Sequence, residues 1–201
     1  LKNDRCFVDI LNKEAWEQKA LIRAGELSVS ELMQETFARI ETVNPKVNAL
    51  VNLLSKEDCY KLTSENFAHE GSLGGIPMAI KDLANVKDFK TTEGSPLYSD
   101  RVAQKDDQMV ARLRAAGALF IGKTNTPEFG LGSNTFNPVY GKTKNPYDLS
   151  KTCGGSSGGA AVALATRMLS ISDGSDMMGS LRNPAAWNNV YGLRPTWGLV
   201  P

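Results

Sequence analysis

The spacing of apolar residues predicts helices at the start of the chain. The segment 14–24 is charged and amphipathic, and Gly25 follows it as a residue suited to end a helix in the left-handed conformation. Ser28 and Glu31 have the spacing of a capping box, in which each side chain satisfies the free backbone N–H of the other residue. The pattern therefore predicts two consecutive helices, the second beginning at Ser28.

The second predicted helix is expected to end at Asn44-Pro45, because proline lacks an N–H and clashes with the preceding turn. A third helix is predicted over 56–67, and a turn-rich connector over 69–75 follows it. Residues 1–70 are therefore interpreted as a helical N-terminal segment. The apolar face of the second helix repeats at helical spacing through Leu32, Thr36, Phe37 and Ile40.

Short apolar runs replace the helical spacing after residue 70. They alternate with helical stretches, which predicts an α/β layer architecture. No internal repeat divides the sequence, so 1–201 is treated as a single domain with its α/β core over 71–201. The end of the chain, 198–201, has the pattern of a strand in progress. Three strands of one sheet are predicted over 76–81, 118–122 and 168–172, with helices packed on them over 106–116 and 158–167.

The composition excludes several classes of function. The chain is 41% hydrophobic and 22% charged, as is usual for a soluble globular protein, and its net charge of +1 offers no electrostatic surface for nucleic acid or an acidic membrane. No stretch reaches the ~18 apolar residues of a membrane span. Three cysteines without metal-like spacing argue against a disulfide scaffold or a zinc site and favour a reducing compartment, with the cytoplasm as the default. They are Cys6, Cys59 and Cys153.

The strongest local motif is the glycine–serine segment 152–161, in which four glycines flank Ser156 and Ser157 before a helix of small residues. Glycines at this density let the backbone approach a ligand closely. A flexible linker is one alternative, but linkers are not followed at once by an apolar helix such as 160–165. A phosphate-binding loop is another, although the Gly-Lys-Ser/Thr ending of a Walker loop and the dinucleotide spacing are both absent.

A second motif, 176–185, places Ser180 in a turn before a predicted helix with Pro184 in its first turn. A serine in this position, taken alone, is most often an N-cap. Free backbone N–H groups at such a turn are also suited to bind an oxyanion.

Lys81 ends a predicted buried strand, where desolvation would lower its pKa and let the amine act as a base. A lone lysine is otherwise an ordinary surface charge. The single histidine, His69, lies in a loop without a Gly-x-Ser-x-Gly elbow, so a serine–histidine hydrolase is disfavoured. Serine chemistry within these residues requires another base, and lysine serves in Ser–Lys variants.

Together these segments resemble the amidase signature family. The segment 74–82 is similar to the strand with the family's catalytic lysine, 154–159 to its cis-peptide serine stretch, and 176–182 to its nucleophile segment. The spacings of 75 residues from Lys81 to Ser156 and 24 from Ser156 to Ser180 agree with the family pattern. The segments 122–125, 128–129 and 192–195 match further family segments.

The resemblance implies a mixed β-sheet covered by helices on both faces. It also implies hydrolysis of carboxamides through a serine acyl-enzyme, with Lys81 as base, Ser156 as relay and Ser180 as nucleophile. No metal or organic cofactor is implied, and the expected partner is a small-molecule amide. The remaining implied roles are the backbone N–H groups of Met177, Met178, Gly179 and Ser180 around the oxyanion, and support of the loops by Ser157, Asp176 and Arg182.

Three departures from the family pattern qualify these expectations. Met178 stands where family members commonly have glycine, and Cys153 stands where they often have proline. Family members are usually more than twice as long as this chain. The chain is therefore interpreted as the N-terminal part of a longer member, with the fold C-terminally incomplete. The sequence of the segment 177–184 resembles that of amidases that act on aryl or alkyl amides. The alternatives are a non-catalytic relic of the fold and a subunit of a glutamine-dependent amidotransferase, and a homodimer stays open as an assembly.

Overall fold

The computed structural model describes residues 7–64 and 68–200, with side chains from residue 10 onward. A 3-10 helix over Phe7–Asn12 leads into α1 (Ala15–Arg23) and α2 (Val29–Val47). The predicted capping box is confirmed: the Ser28 N–H donates to Glu31 Oε2 at 2.8 Å, and the Glu31 N–H donates to Ser28 Oγ at 3.1 Å. Gly25 follows α1 with φ +70°, as its predicted role requires.

Helix α2 does not end at Asn44-Pro45 as predicted, but continues to Val47 with Pro45 inside it. Pro45 removes one hydrogen bond to the preceding turn, and the helix continues for only two residues beyond it. The helix ends instead at Asn48, which adopts φ 53°. Asn44 fixes the exit of the chain, since its Oδ1 accepts hydrogen bonds from the N–H groups of Ala49 and Leu50, both at 2.9 Å.

A mixed three-stranded sheet forms the centre of the molecule, in the order β1-β3-β2. Strand β2 runs parallel to β3, and β1 runs antiparallel to β3. The predicted strands over 76–81 and 118–122 are therefore confirmed, while β1 was not predicted and shows that the segment 1–70 is not purely helical. The strands are β1 (Leu50–Val51), β2 (Pro77–Lys81), β3 (Leu119–Thr124) and the separate hairpin β4 (Phe136–Asn137) and β5 (Gly141–Lys142).

Four more helices follow the first two. The prediction of a third helix over 56–67 is confirmed as far as Ser64, and residues 65–67 lie outside the described part of the chain. The helices predicted over 106–116 and 158–167 are present with slightly shorter bounds. They are α3 (Lys56–Ser64), α4 (Gln108–Ala115), α5 (Gly158–Ala165) and α6 (Arg182–Trp187).

The sheet is covered on both faces, as predicted. All five residues of β2 and all six of β3 are buried, which fits strands enclosed between two layers. One face joins Ala79, Leu119 and Ile121 to the buried residues of α2 and α5. The opposite face joins Met78, Ile80 and Phe120 to Val110 of α4. The carboxyl end of β2 therefore lies between helices and away from water.

The prediction of a strand over 168–172 is wrong. The chain passes beside β2 without helix or strand, and side chains rather than backbone groups contact the strand's polar atoms. The Ser172 hydroxyl donates to the Ala79 carbonyl at 3.2 Å, and Asp173 Oδ1 accepts the Lys81 N–H at 2.8 Å. An apolar run predicts burial, but it does not determine whether the backbone joins a ladder.

The strand expected at 198–201 is also absent as far as residue 200, where the described chain ends. The segment after α6 contains no helix or strand among its described residues, and its large apolar side chains are exposed, including Tyr191, Leu193 and Trp197. In the described residues no helix is both long and apolar enough to span a bilayer.

The close contact between α5 and the sheet generates a stability prediction. A Cβ at Gly159 would lie 2.3 Å from the Asn125 backbone nitrogen and 2.6 Å from the Ala49 carbonyl oxygen. Since both neighbours are backbone atoms, Gly159→Ala is expected to lower the free energy of unfolding by about 1–3 kcal/mol in denaturant titrations. The exposed Gln34→Ala on α2 serves as control, with an expected change within about 0.5 kcal/mol. Equal stability of Gly159→Ala and the wild type would contradict this packing.

Candidate active site

Lys81 is the last residue of β2, and only 1% of its surface is exposed. Its side chain meets a group of hydroxyls rather than a carboxylate. Nζ lies 2.7 Å from Ser156 Oγ, 2.9 Å from Ser157 Oγ and 2.9 Å from Ser175 Oγ. Hydroxyls both donate and accept hydrogen bonds, so this environment accommodates either a neutral amine or an ammonium.

The surroundings of Lys81 favour loss of its proton near neutral pH. Burial lowers the pKa of Lys81 from 10.5 to about 8, against the opposing effect of the carboxylates of Asp173 and Asp176. Burial has this effect because an ammonium loses its hydration while a neutral amine loses little. A substantial fraction of the side chain is therefore neutral in mildly alkaline solution, as a general base requires.

A second lysine, Lys123 of β3, is fully buried beside Lys81 but has different partners. Its Nζ donates to the Ala84 carbonyl and to Thr91 Oγ1, and it lies 3.8 Å from Asp82 Oδ1. Burial lowers the pKa of Lys123, and the carboxylate of Asp82 raises it. A carbonyl and a carboxylate can only accept hydrogen bonds, so these partners favour the charged ammonium. Lys123 is therefore suited to a structural ion pair and Lys81 to proton transfer.

Ser156 follows a cis peptide bond between Gly155 and Ser156, as the family resemblance implied, and it is buried. Ser157 comes next and immediately precedes α5. The Ser157 N–H donates to the Ser180 carbonyl at 2.8 Å. This bond joins the glycine–serine segment to the turn that contains Ser180 and sets the distance between them.

The start of α5 is not arranged as a phosphate site. The Gly158 N–H donates to Thr135 Oγ1 at 3.2 Å, and the Gly159 N–H donates to the Asn125 carbonyl at 3.2 Å. Anion binding at a helix N-terminus depends on free N–H groups. Since these two are engaged within the protein, the alternative of a phosphate-binding loop is disfavoured.

The turn around Ser180 is organised by the carboxylate of Asp176. It accepts hydrogen bonds from the N–H groups of Gly179 (2.8 Å), Leu181 (3.2 Å) and Arg182 (3.1 Å). The Arg182 guanidinium adds two more, at 2.9 and 3.0 Å. The Arg182 hydrogen bond also holds the pKa of Asp176 well below its ordinary value. Asp176 and Arg182 are therefore bonded to each other, and Asp176 is bonded to the backbone on both sides of Ser180.

The backbone N–H groups expected around the oxyanion are only partly available. The Gly179 N–H is engaged by Asp176, and Gly179 has φ +112°, a conformation that favours glycine. In the described structure the N–H groups of Met177, Met178 and Ser180 have no hydrogen-bond acceptor. The Met177 and Met178 side chains are both 87% exposed, so Met178 does not fill the turn where family members have glycine.

The structure brings Lys81 and Ser156 together but leaves Ser180 linked through its backbone. Among the residues described, Ser180 Oγ makes no hydrogen bond to Ser156 Oγ. The first link of the expected Lys81–Ser156–Ser180 chain is present, and the second stays a prediction. Ser157, expected to support the loops, contacts the Lys81 amine directly.

Sequence reasoning missed Asp173, Ser175 and Lys123. Lys123 was detectable as a charged residue directly after the apolar run 118–122, a position that calls for a buried partner. Asp173 and Ser175 carry no such signal, because acidic and hydroxyl residues are ordinary in a turn. Their contacts with Lys81 arise from tertiary packing.

Comparison with known proteins decides the family. The family model described as Amidase matches residues 31–201, most of the chain. The chain belongs to the amidase family. A glutamyl-tRNA(Gln) amidotransferase subunit of Syntrophobacter fumaroxidans is 43% identical over 90% of this chain and 38% of its own length. An acylamidase of Rhodococcus erythropolis is 41% identical over 93% of this chain and 40% of its own length.

Solved structures agree with the fold. A bacterial aryl acylamidase of the amidase signature enzymes superposes with a TM-score of 0.83 at 32% identity, over 91% of this chain and 39% of that one. The chain spans about two fifths of the length of the relatives it matches. Near-equal identity to an acylamidase and to a component of an amidotransferase does not separate these subgroups. No group of metal-ligating side chains occurs in the part of the amidase chain that the structure describes.

The depressed pKa of Lys81 predicts a specific pH dependence of stability. Between about pH 8 and pH 10.5 the unfolded chain holds a proton on Lys81 that the folded chain has lost, so stability rises with pH. The unfolding free energy of the wild type minus that of Lys81→Met is expected to increase by up to roughly 3 kcal/mol across this range. The exposed Lys142→Met serves as control, and its difference is expected to stay nearly constant. A flat curve for Lys81→Met would contradict the lowered pKa.

Proposed function

We propose that the protein hydrolyses carboxamides through an acyl-enzyme on Ser180, with Ser156 as proton relay and Lys81 as base. The observation that carries the proposal is the buried Lys81 amine, 2.7 Å from Ser156 Oγ and surrounded by hydroxyls. Family membership supports the reaction class. Because the chain spans only part of its relatives' length, activity is to be tested on the protein as it exists.

In the first half-reaction, neutral Lys81 takes a proton from Ser156 as Ser156 takes one from Ser180. The Ser180 oxygen forms a bond to the amide carbon, and a tetrahedral oxyanion results. Collapse of this intermediate breaks the carbon–nitrogen bond, and the proton returns through Ser156 to the leaving amine. Amines are poor leaving groups unless they are protonated, so the relay serves both steps.

In the second half-reaction, water enters in place of the amine. It gives one proton to Ser156 while Ser156 gives one to Lys81, and its oxygen forms a bond to the acyl carbon. The bond between that carbon and the Ser180 oxygen then breaks as the proton returns from Lys81 through Ser156 to Ser180. The products are a carboxylic acid and an amine or ammonia, and atoms and protons balance without a cofactor. The relay thus returns to its starting state.

The oxyanion is proposed to be bound by backbone N–H groups of the Ser180 turn. Met177, Met178 and Ser180 supply the groups that have no acceptor within the described protein, and Gly179 shares its N–H with Asp176. Such donors stabilise charge that develops only in the transition state. Asp176 and Arg182 keep these donors in place.

Substrate class is proposed as aryl or alkyl amides, in line with the acylamidase similarity. The similarity to a glutamyl-tRNA(Gln) amidotransferase favours a second candidate, glutamine hydrolysis with transfer of ammonia to a partner. Release of ammonia from free glutamine, compared with release of aniline from a chromogenic anilide, separates the two. A non-catalytic relic would do neither.

Substitution of Lys81 tests the mechanism. Lys81→Ala is expected to lower amide turnover by about 10²–10⁴-fold, because both serine activation and leaving-group protonation fail. Lys81→Arg is expected to be equally impaired, since a guanidinium does not accept a proton. The ester of the same acyl group is expected to suffer less, and the exposed Lys142→Ala is expected to match the wild type. Near-normal amide turnover in Lys81→Ala would show that another group is the base.

A covalent probe tests the nucleophile without knowledge of the substrate. A fluorophosphonate is expected to add one phosphonyl group at Ser180, located by peptide mass spectrometry. Ser180→Ala is expected to abolish labelling, and the exposed Ser133→Ala is expected to leave it unchanged. Labelling that persisted in Ser180→Ala at another residue would assign the nucleophile elsewhere.

A further inference from the structure

Ser175 lies at hydrogen-bond distance from the Lys81 amine but takes no part in the proton transfers of the proposed reaction. It belongs to the irregular segment between α5 and Asp176. Its Oγ is 2.9 Å from Lys81 Nζ, the same distance as Ser157 Oγ. Two residues earlier, Asp173 accepts the Lys81 backbone N–H. The segment 173–175 therefore contacts both the main chain and the amine of the proposed base.

The hydrogen bonds of Ser157 show how its hydroxyl is used. Its O–H donates to the Ser175 carbonyl at 3.3 Å, and its oxygen accepts the Ser175 N–H at 3.2 Å. A hydroxyl has one proton and two lone pairs. With the proton directed at a carbonyl and one lone pair occupied, Ser157 can meet Lys81 only as an acceptor.

The remaining question is which hydroxyl donates to the lone pair of a neutral Lys81. Ser156 is buried, and its O–H has no other acceptor in the described structure. A buried hydroxyl rarely leaves its proton unpaired. Ser175 is exposed, so its own proton can reach water while its oxygen accepts from Lys81. The favoured arrangement directs the lone pair at Ser156.

We infer that Ser175, together with Ser157, is a positioning residue that accepts the two N–H bonds of neutral Lys81 and so directs its lone pair at Ser156. This inference rests on the proposed function. A neutral amine has two N–H bonds and one lone pair, and rotation about its last carbon–nitrogen bond would otherwise be free. Fixing that rotation prepares the proton transfer from Ser156 before substrate arrives.

The charged groups around Lys81 determine what else can move its titration. The carboxylates of Asp173 and Asp176 face it from the segment after α5. On the strand side, Asp82 and Lys123 pair with each other. None of these groups changes when Ser175 loses its hydroxyl, so a shift in Ser175 variants reports on the hydroxyl itself.

The test compares Ser175→Ala with Ser175→Thr, which keeps a hydroxyl, and with Ser170→Ala as a matched control in the same loop. The readouts are amide turnover and the rate of fluorophosphonate labelling of Ser180 from pH 6 to 10. Ser175→Ala is expected to lower the plateau of both by about tenfold. Its acid limb is expected to move about 0.5 to 1 pH unit lower, because the ammonium loses a charge-assisted bond.

Ser175→Thr is expected to restore both the plateau and the acid limb, and Ser170→Ala is expected to match the wild type. An unchanged profile in Ser175→Ala, or a lower plateau with an unmoved acid limb, would overturn the inference. Thermal unfolding checks that each variant is folded. If Ser175→Ala is unstable, Ser175→Cys takes its place, and its weaker acceptor is expected to cause a smaller loss of plateau and a smaller shift of the acid limb.

The proposed function and this inference fail in different ways. If Lys81→Ala were labelled at the wild-type rate, Lys81 would not be the base, and the proposed function would be contradicted. Inactive Lys81→Ala together with a wild-type profile in Ser175→Ala would leave the function standing and overturn only the role of Ser175.

Discussion

The constraint on which this structure depends is the burial of one lysine amine at the end of a central strand. Taking an ammonium out of water is costly, and the cost falls when the group becomes neutral or finds several polar partners. Lys81 meets both conditions, since its pKa is lowered and three hydroxyls surround it. These hydroxyls come from the start of α5 and from the segment before Asp176. Hydrogen-bonding groups from two separate loops therefore meet at a single buried amine.

Two adjacent strands resolve the burial of lysine in opposite ways. Lys123 has a carboxylate, a carbonyl and one hydroxyl as partners, of which the first two favour its charged form, while Lys81 has only hydroxyls at its amine. Two lysines of similar burial thus differ in the protonation state that their surroundings favour, because their hydrogen-bond partners differ. The chemistry of a buried amine depends on whether its partners can both donate and accept hydrogen bonds, and not on burial alone.

Sequence patterns predicted the elements whose signals are local. The capping box of Ser28 and Glu31 and the buried run at β2 depend on neighbours in the chain, and both are present. The run at 168–172 has the same apolar character, yet its polar contacts with β2 are made by side chains, which no periodicity reveals. Strand β1 has two residues, too few for a period.

The candidate site divides in the same way. Lys81, Ser156 and Ser180 lie in motifs with fixed spacing, so a resemblance could name them. Ser175 acquires its role only when the loop after α5 folds back on β2.

The bond between the Ser157 N–H and the Ser180 carbonyl has a consequence for how such sites diversify. It joins the two loops through backbone atoms alone, so the spacing of the loops does not depend on the identity of either side chain. Replacement of the Ser180 side chain alone is therefore expected to preserve this bond and the spacing of the two loops. Such a variant is suited to trapping an uncleaved ligand in crystals, because it lacks the reactive hydroxyl and keeps the backbone of the turn. Loss of the reactive hydroxyl and loss of the fold are therefore expected to be separable in this protein.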